Sequence, residues 1–359
     1  MGFNCGIIWL PNVGKSTLFN AITSAGAAAS NFAFCTVDPN VGRVDVPDDR
    51  IEQISVFVKP ERVVHTQMEF VDIAGLVAGA SKGEGLGNRF LSHIRNVEAI
   101  AHVVRCFQSA DIMHVIGAVD PIRDIEVIES ELMLADLEGV EKKINSLRKT
   151  AKAGKKEDAE LLAKLEPIAE GLQRGIMASE TGGFAIQTEM PLLTAKPLMF
   201  VANIGDPSEE DGPMVQKVRE YAQKRGAGFL TICAQVEAEI AELPPAERTA
   251  YRAEMGLKSS SLDNMIREGY KLLNLITYFT AGVKEVRAWT VHQGAKAPEA
   301  AGVIHTDFIK HFIRAEVIAY DDYIACKGEA GAKEKGKMRL EGKEYVVKDG
   351  DVIYFRVSA

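Results

Sequence analysis

Short apolar runs recur along the first third of the chain, each followed by a turn-rich or helical stretch: Cys5-Gly-Ile-Ile-Trp-Leu10, Met68-Glu-Phe-Val71 and Ile100-Ala-His-Val-Val104. Two more, Leu198-Met-Phe-Val-Ala202 and Phe229-Leu-Thr-Ile-Cys233, lie further on. Strands alternating with helices predict a mainly parallel sheet covered on both faces. Between these runs the period changes. From residue 125 to 147 apolar side chains recur at helical spacing (Leu137, Val140, Ile144, Leu147), and a second stripe (Leu161, Leu165, Ile168, Leu172, Ile176) follows a polar turn around Gly154. This predicts an antiparallel helical hairpin inserted into the α/β domain. After about Leu275 the chain turns to β-prone stretches such as Glu285-Val-Arg-Ala-Trp289, Ala315-Glu-Val-Ile318 and Val352-Ile-Tyr-Phe355, which predict a small β-rich C-terminal domain.

Composition narrows the class. The 359 residues are enough for two or three domains. With 47% hydrophobic and 26% charged residues, neither wholesale disorder nor a membrane-embedded chain fits. No apolar run approaches the roughly 18 residues of a membrane span. The first ten residues lack the basic flank and cleavage site of a secretory signal, and Gly6 stands where a myristoylation motif wants Ser or Thr, so a cytoplasmic protein is expected. A net charge of -8 argues against a uniformly basic coat for nucleic acid, although a local basic patch is compatible with it. Five scattered cysteines without a C-x-x-C indicate neither a disulfide framework nor a zinc site.

Candidate chemistry sits directly after the first strand, at Pro11-Asn-Val-Gly-Lys-Ser-Thr17, ahead of the helical-looking Leu18-Phe-Asn-Ala-Ile22. Successive backbone N–H groups in such a loop, with the positive end of the following helix, form a cradle for phosphate oxygens. In this reading Asn12, Val13, Gly14, Lys15, Ser16 and Thr17 line the phosphates. Lys15 reaches the β- and γ-phosphates and Ser16 ligates Mg2+. The full pattern G-x-x-x-x-G-K-[ST] asks for glycine at position 9, where the chain has Trp9, and an indole there is expected to displace something. Taken alone, Gly-Lys-Ser-Thr also fits an accidental helix start. Asp72-Ile-Ala-Gly75 then ends a strand in the D-x-x-G form of a magnesium-linked aspartate, acting through water, and a γ-phosphate-sensing glycine. Thr36, in the loop-like Phe34-Cys-Thr-Val-Asp-Pro39, either adds its hydroxyl to the metal or is a plain turn residue. Asn203-Ile-Gly-Asp206 has the N-x-x-D arrangement that reads a nucleobase edge, with a surface turn as the alternative, and Cys233-Ala-Gln235 occupies the place of a loop that backs the base. Together these motifs predict a nucleoside-triphosphate site. A small-molecule kinase would not need the D-x-x-G and N-x-x-D set.

Leu10-Pro-Asn-Val-Gly-Lys-Ser-Thr-Leu-Phe-Asn20, the stretch from Phe70 to Asn88 with its Gly-rich 79–87 segment, and His305-Thr-Asp-Phe308 carry a further signal. In these marks, and essentially end to end, the chain resembles the YchF/Obg-like ATPases of the Obg branch of translation-factor GTPases. The resemblance implies an α/β P-loop NTPase domain (1–124 and 197–276), an inserted α-helical coiled-coil hairpin (125–196) and a C-terminal TGS domain of ubiquitin-like β-grasp form (277–359). It also implies ATP, often in preference to GTP, and association with the ribosome, through its large subunit. Trp9 departs from the family's P-loop, and Asp206 stands where the base-reading motif usually ends in glutamate.

Ras-type enzymes orient the attacking water with a glutamine just after D-x-x-G. Here that position is Leu76, which predicts slow basal turnover. The resemblance points to His114 as the substitute, with a packed or surface histidine as the alternative, and to a potassium ion at Asn12. Basic residues gather in the insertion (Lys142, Lys143, Arg148, Lys149, Lys152, Lys155, Lys156) and near the C-terminus (Lys327, Lys333, Lys335, Lys337, Arg339, Lys343), interleaved with glutamates. They are either solvated faces or contacts to an RNA backbone, and the resemblance favours ribosomal contacts. The expected function is a nucleotide-hydrolysing switch. Two alternatives stay open: a catalytically impaired ribosome- or RNA-binding scaffold, and a GTP-specific enzyme, since Asp206 keeps half of a guanine reader while Ile204 replaces its lysine.

Overall fold

The computed structural model describes residues 3–29, 41–73, 86–109, 117–151, 155–257 and 259–358. In chain order the elements are β1 (Asn4–Trp9), α1 (Lys15–Ala29), β2 (Val41–Asp45), α2 (Arg50–Val58), β3 (Val63–Val64), β4 (Gln67–Asp72), α3 (Leu86–Arg95), β5 (Ala99–Arg105), α4 (Pro121–Ala151), α5 (Lys156–Gln173), β6 (Leu198–Asn203), α6 (Pro213–Arg225), β7 (Gly228–Ile232), α7 (Ala234–Glu242), α8 (Pro245–Glu254) and α9 (Ser261–Leu272). There follow β8 (Leu275–Ala281), β9 (Val286–His292), α10 (Ala297–Ile304), α11 (Asp307–His311), β10 (Phe312–Ile318), α12 (Tyr320–Ala325), α13 (Glu329–Glu334), β11 (Arg339–Glu341) and β12 (Val352–Val357). They form two compact units: residues 1–44 with 69–265, and residues 45–68 with 266–359.

The first unit is built on a sheet of order β2-β4-β1-β5-β6-β7. β1 runs parallel to β4 on one side and β5 on the other, and β5–β6 and β6–β7 are parallel too. All seven residues of β5 are buried, as a strand covered on both faces requires. Strand order reverses at β1, and the crevice beyond the carboxyl end of such a strand is where open α/β sheets hold ligands. The phosphate-cradle sequence begins there. α4 starts in this core, where Ile125 joins Phe200, Ile204, Val215 and Val218, and then leaves it. Its distal part packs on α5 through Val140, Ile144, Leu147, Leu165, Ile168 and Leu172. The stripe expected to reach Ile176 stops at Gln173, because Gly175 takes a left-handed φ of 74° that ends the helix. Asp136 fixes the root of this pair: its carboxylate accepts from the Leu193 N–H at 2.9 Å, the Thr194 N–H at 2.8 Å and the Thr194 hydroxyl at 2.7 Å. Burial pushes the Asp136 carboxyl up, and these donors oppose it.

The second unit carries a mixed sheet of order β11-β10-β12-β8-β9-β3. β8 and β9 form an antiparallel hairpin, β12 lies parallel to β8, and β10 is antiparallel to both β12 and β11. This is β-grasp topology. One core cluster gathers Tyr278, Val291, Ala300, Phe312, Val317 and Ile353 with α10. Another gathers Ile51, Ile54, Phe279, Val286, Ile318 and Tyr323, so α2 supplies two of its buried side chains. The segment 45–68, expected within the nucleotide-binding domain, groups instead with the C-terminal unit. β3 extends that sheet by pairing parallel to β9, and Ile51 and Ile54 are fully buried there. The unit also contains four helices that its β-prone sequence did not announce.

Candidate functional site

β1 delivers the chain to the loop 10–14, and α1 begins at Lys15. The loop turns through two left-handed residues, Asn12 (φ 68°) and Gly14 (φ 89°). Gly14 is also sterically required, because a Cβ there would lie 2.4 Å from the Asn203 amide nitrogen. No acidic residue stands in the first turn of α1, so its N-terminal N–H groups present partial positive charge toward the loop.

Lys15 and Asp72 meet across this loop, with Nζ 2.7 Å from Oδ2. Asp72 ends β4, which is the direct neighbour of β1. Its other oxygen, Oδ1, is buried and has no hydrogen-bond partner among the described residues. A buried carboxylate oxygen left in that condition is costly, and together with the Ser16 hydroxyl at the start of α1 it suits a hard cation such as Mg2+. Trp9 closes β1. Its backbone continues β1 in register with Val103, its φ is not left-handed, its side chain is 4% exposed, and its ring centroid lies 4.5 Å from Lys15 Nζ. The loop places its left-handed turns at 12 and 14, and the indole stands beside the Lys15 ammonium.

Asn203 is 3% exposed at the end of β6. Its amide donates to the Val13 carbonyl at 2.7 Å and accepts from the Ala234 N–H at 3.0 Å, tying the phosphate loop to the loop after β7. Ile204 is buried, and its N–H is used by the Ile232 carbonyl. Asp206 caps a 3-10 turn (Pro207–Glu209), accepting from the Ser208 N–H at 2.9 Å and the Ser208 hydroxyl at 2.6 Å. These bonds hold its carboxyl below the ordinary range. Glu209 completes the capping box, its Oε2 accepting from the Asp206 N–H at 3.3 Å and also from the Gly205 N–H at 3.0 Å. Cys233 is buried, with its thiol pushed up by burial, and Gln235 is exposed and bonded to Glu239. Thr36, Gly75, Leu76 and His114 lie outside the described residues.

The sequence reading passed over Arg105. It ends β5, is 1% exposed, and donates to the Phe107 carbonyl at 3.1 Å and to the Asn12 carbonyl at 3.2 Å. Burial lowers its pKa, while the Asp124 carboxylate on the first turn of α4 opposes that. A guanidinium thus backs the phosphate loop, and the available signal was a single charge closing an otherwise apolar run. Among the basic residues of the insertion, Lys142 pairs with Glu138 at 2.5 Å and Arg148 with Glu166 at 2.9 Å, so part of that charge is neutralised within the hairpin.

Residues 4–131 match a family described as "50S ribosome-binding GTPase", and residues 275–358 match the YchF-GTPase_C family, described as "Protein of unknown function (DUF933)". A protein of Haemophilus ducreyi named "Ribosome-binding ATPase YchF" is 56% identical over 363 residues, covering 100% of both chains. The chain belongs to the YchF family. A Bacillus subtilis YchF, also named a ribosome-binding ATPase, is 54% identical over 100% of both chains. The solved structure of the Schizosaccharomyces pombe YchF GTPase superposes with a TM-score of 0.89 at 37% identity, covering 99% of this chain and 98% of that one. No described helix is long and apolar enough to cross a membrane.

Proposed function

We propose that this YchF-family chain is a cytoplasmic, magnesium-dependent nucleoside triphosphatase that favours ATP over GTP, and that its nucleotide state tunes association with the large ribosomal subunit. One observation carries the reading. The phosphate-loop lysine rests on a strand-end carboxylate whose second oxygen is buried without a partner among the described residues, beside a helix start free of acidic residues. The names of the relatives support the choice of ATP and of the ribosome.

In this reading Lys15 and the N–H groups of the first turn of α1 hold the β- and γ-phosphates. Ser16, Thr36 and, through water, Asp72 hold Mg2+, and Gly75 faces the γ-phosphate. Those residues would hold a metal that, when bound, would supply positive charge against the negative charge that develops in transfer. Leu76 can neither orient nor deprotonate water, so turnover is slow, and His114 takes the water-orienting role. A potassium ion at Asn12 is the remaining cofactor. Asn203, Ile204 and Asp206 with the 233–235 loop bound the base. A guanine reader uses both carboxylate oxygens on the base, and Asp206 Oδ1 is already engaged by Ser208. That engagement supports adenine. Exposed Lys143, Lys149 and Lys155 of the insertion and Lys333, Lys335 and Lys343 of the C-terminal unit offer contacts to RNA phosphates.

Titration calorimetry with ATP and GTP, with and without Mg2+, alongside separate measurement of phosphate release, tests the proposal. ATP is expected to bind more tightly than GTP, and more tightly with Mg2+ than without it, followed by slow release. GTP bound more than about tenfold tighter, near 1.4 kcal/mol, overturns the ATP preference. Binding without phosphate release leaves a scaffold.

A further inference from the structure

We infer that Trp9 is a positioning residue that holds the Lys15 ammonium in a resting place, from which magnesium and nucleotide together must draw it. The inference rests on the phosphate-loop reading above. Glycine at this position, as the P-loop pattern has it, would leave the lysine with Asp72 alone.

The geometry is two-sided. Lys15 Nζ lies 2.7 Å from Asp72 Oδ2 and 4.5 Å from the centroid of the Trp9 ring. The ring is fixed, because Trp9 is a strand residue paired with Val103 and is 4% exposed. The lysine side chain, on its four-carbon stem, is the part that can move. A cation over an indole face is attracted by the ring quadrupole, more so where water is largely excluded. The Lys15 side chain is 28% exposed and that of Asp72 12%, so both partners are substantially desolvated.

Drawing the ammonium onto phosphate oxygens costs the ring contact and strips Asp72 of its counter-charge. A metal near Asp72 replaces that counter-charge, and a nucleotide without metal does not. Release of the lysine from Trp9 is therefore coupled to magnesium, and the indole lowers affinity for the magnesium–nucleotide complex below what the loop alone would give.

The chain has two tryptophans, Trp9 and Trp289, so the Trp289→Phe protein reports on Trp9 alone. Its emission is expected to change on saturation with Mg-ATP, and to change much less with ATP and EDTA at an occupancy matched by calorimetry. Trp9→Leu is expected to bind Mg-ATP about threefold to tenfold more tightly, with Trp9→Phe in between. Should the leucine protein fail to fold by circular dichroism, Trp9→Phe decides: binding tighter than wild type supports the inference, and equal or weaker binding overturns it. Emission unmoved at full occupancy also overturns it. No nucleotide binding by the unaltered chain removes the phosphate-loop reading itself, and this inference with it.

Discussion

Two places in the molecule hold a basic side chain against carboxylates, and they differ in what is left over. In the C-terminal unit Arg50 donates to Asp48 at 2.8 and 2.7 Å and to Asp349 at 2.7 and 3.3 Å, and Asp349 also accepts from the Thr277 N–H at 2.9 Å. Burial works against the Arg50 charge, but those hydrogen bonds outweigh it and raise its pKa. At the phosphate loop Lys15 has one carboxylate oxygen and a ring, while Asp72 keeps a buried oxygen without a partner among the described residues. On the proposed reading the open oxygen at Asp72 belongs to a site that a ligand completes, whereas the hydrogen-bonded set around Arg50 is a strut.

The comparison breaks most readily at Lys15. Lys15→Ala is expected to weaken triphosphate affinity by about 1.5–3 kcal/mol, roughly 10- to 150-fold, because a partly desolvated charge-assisted contact is lost. Calorimetry measures it, and unchanged affinity would remove the phosphate-loop assignment. Arg50→Met should do the reverse. It leaves two carboxylates without their partner in a partly exposed site, so the C-terminal unit is expected to lose about 1–3 kcal/mol in a denaturant titration while nucleotide affinity stays within twofold. A loss of affinity comparable to that of Lys15→Ala would show that the strut belongs to the site.

A smaller effect sharpens the contrast with a buried group that is neither strut nor site. His102 lies in β5 beside Ile8, 2% exposed, and burial pushes its pKa down to about 3. In the unfolded chain it binds a proton below about 6.5, but in the folded chain only near 3, so its contribution to stability falls as pH drops through that window. At pH 5 the loss relative to neutral pH is about 2 kcal/mol from this residue. His102→Leu is expected to shrink the difference between melts at pH 7 and pH 5. An unchanged difference would assign the acid sensitivity to other groups.

Much of this was legible in the sequence where a motif is itself backbone geometry. Gly14 needs its left-handed turn and open Cβ space, and the 137–147 and 161–172 stripes could bury themselves only against each other. Side-chain choices were less legible. Asp206 could accept from a base or cap the turn that Pro207 starts, and Ser208 and Glu209 complete the cap. Trp9 read as an obstacle because the motif wants glycine, and its contact with the Lys15 ammonium was not legible from the motif. The grouping of 45–68 with the C-terminal unit was invisible, because Ile51 and Ile54 look like any short amphipathic helix until β8 and β9 are available to cover them.

That grouping has a consequence for how the chain is made. Its first contribution to the β-grasp unit leaves the ribosome about two hundred residues before the strands that complete the sheet. At 5–20 residues per second, α2 and β3 wait roughly 10 to 40 s for their partners. During that interval Ile51 and Ile54 lack their native cover, while Val41–Asp45 and Gln67–Asp72 are already available to pair. The C-terminal unit therefore completes last, and a fragment beginning at residue 277 would lack the helix that supplies Ile51 and Ile54 to its core.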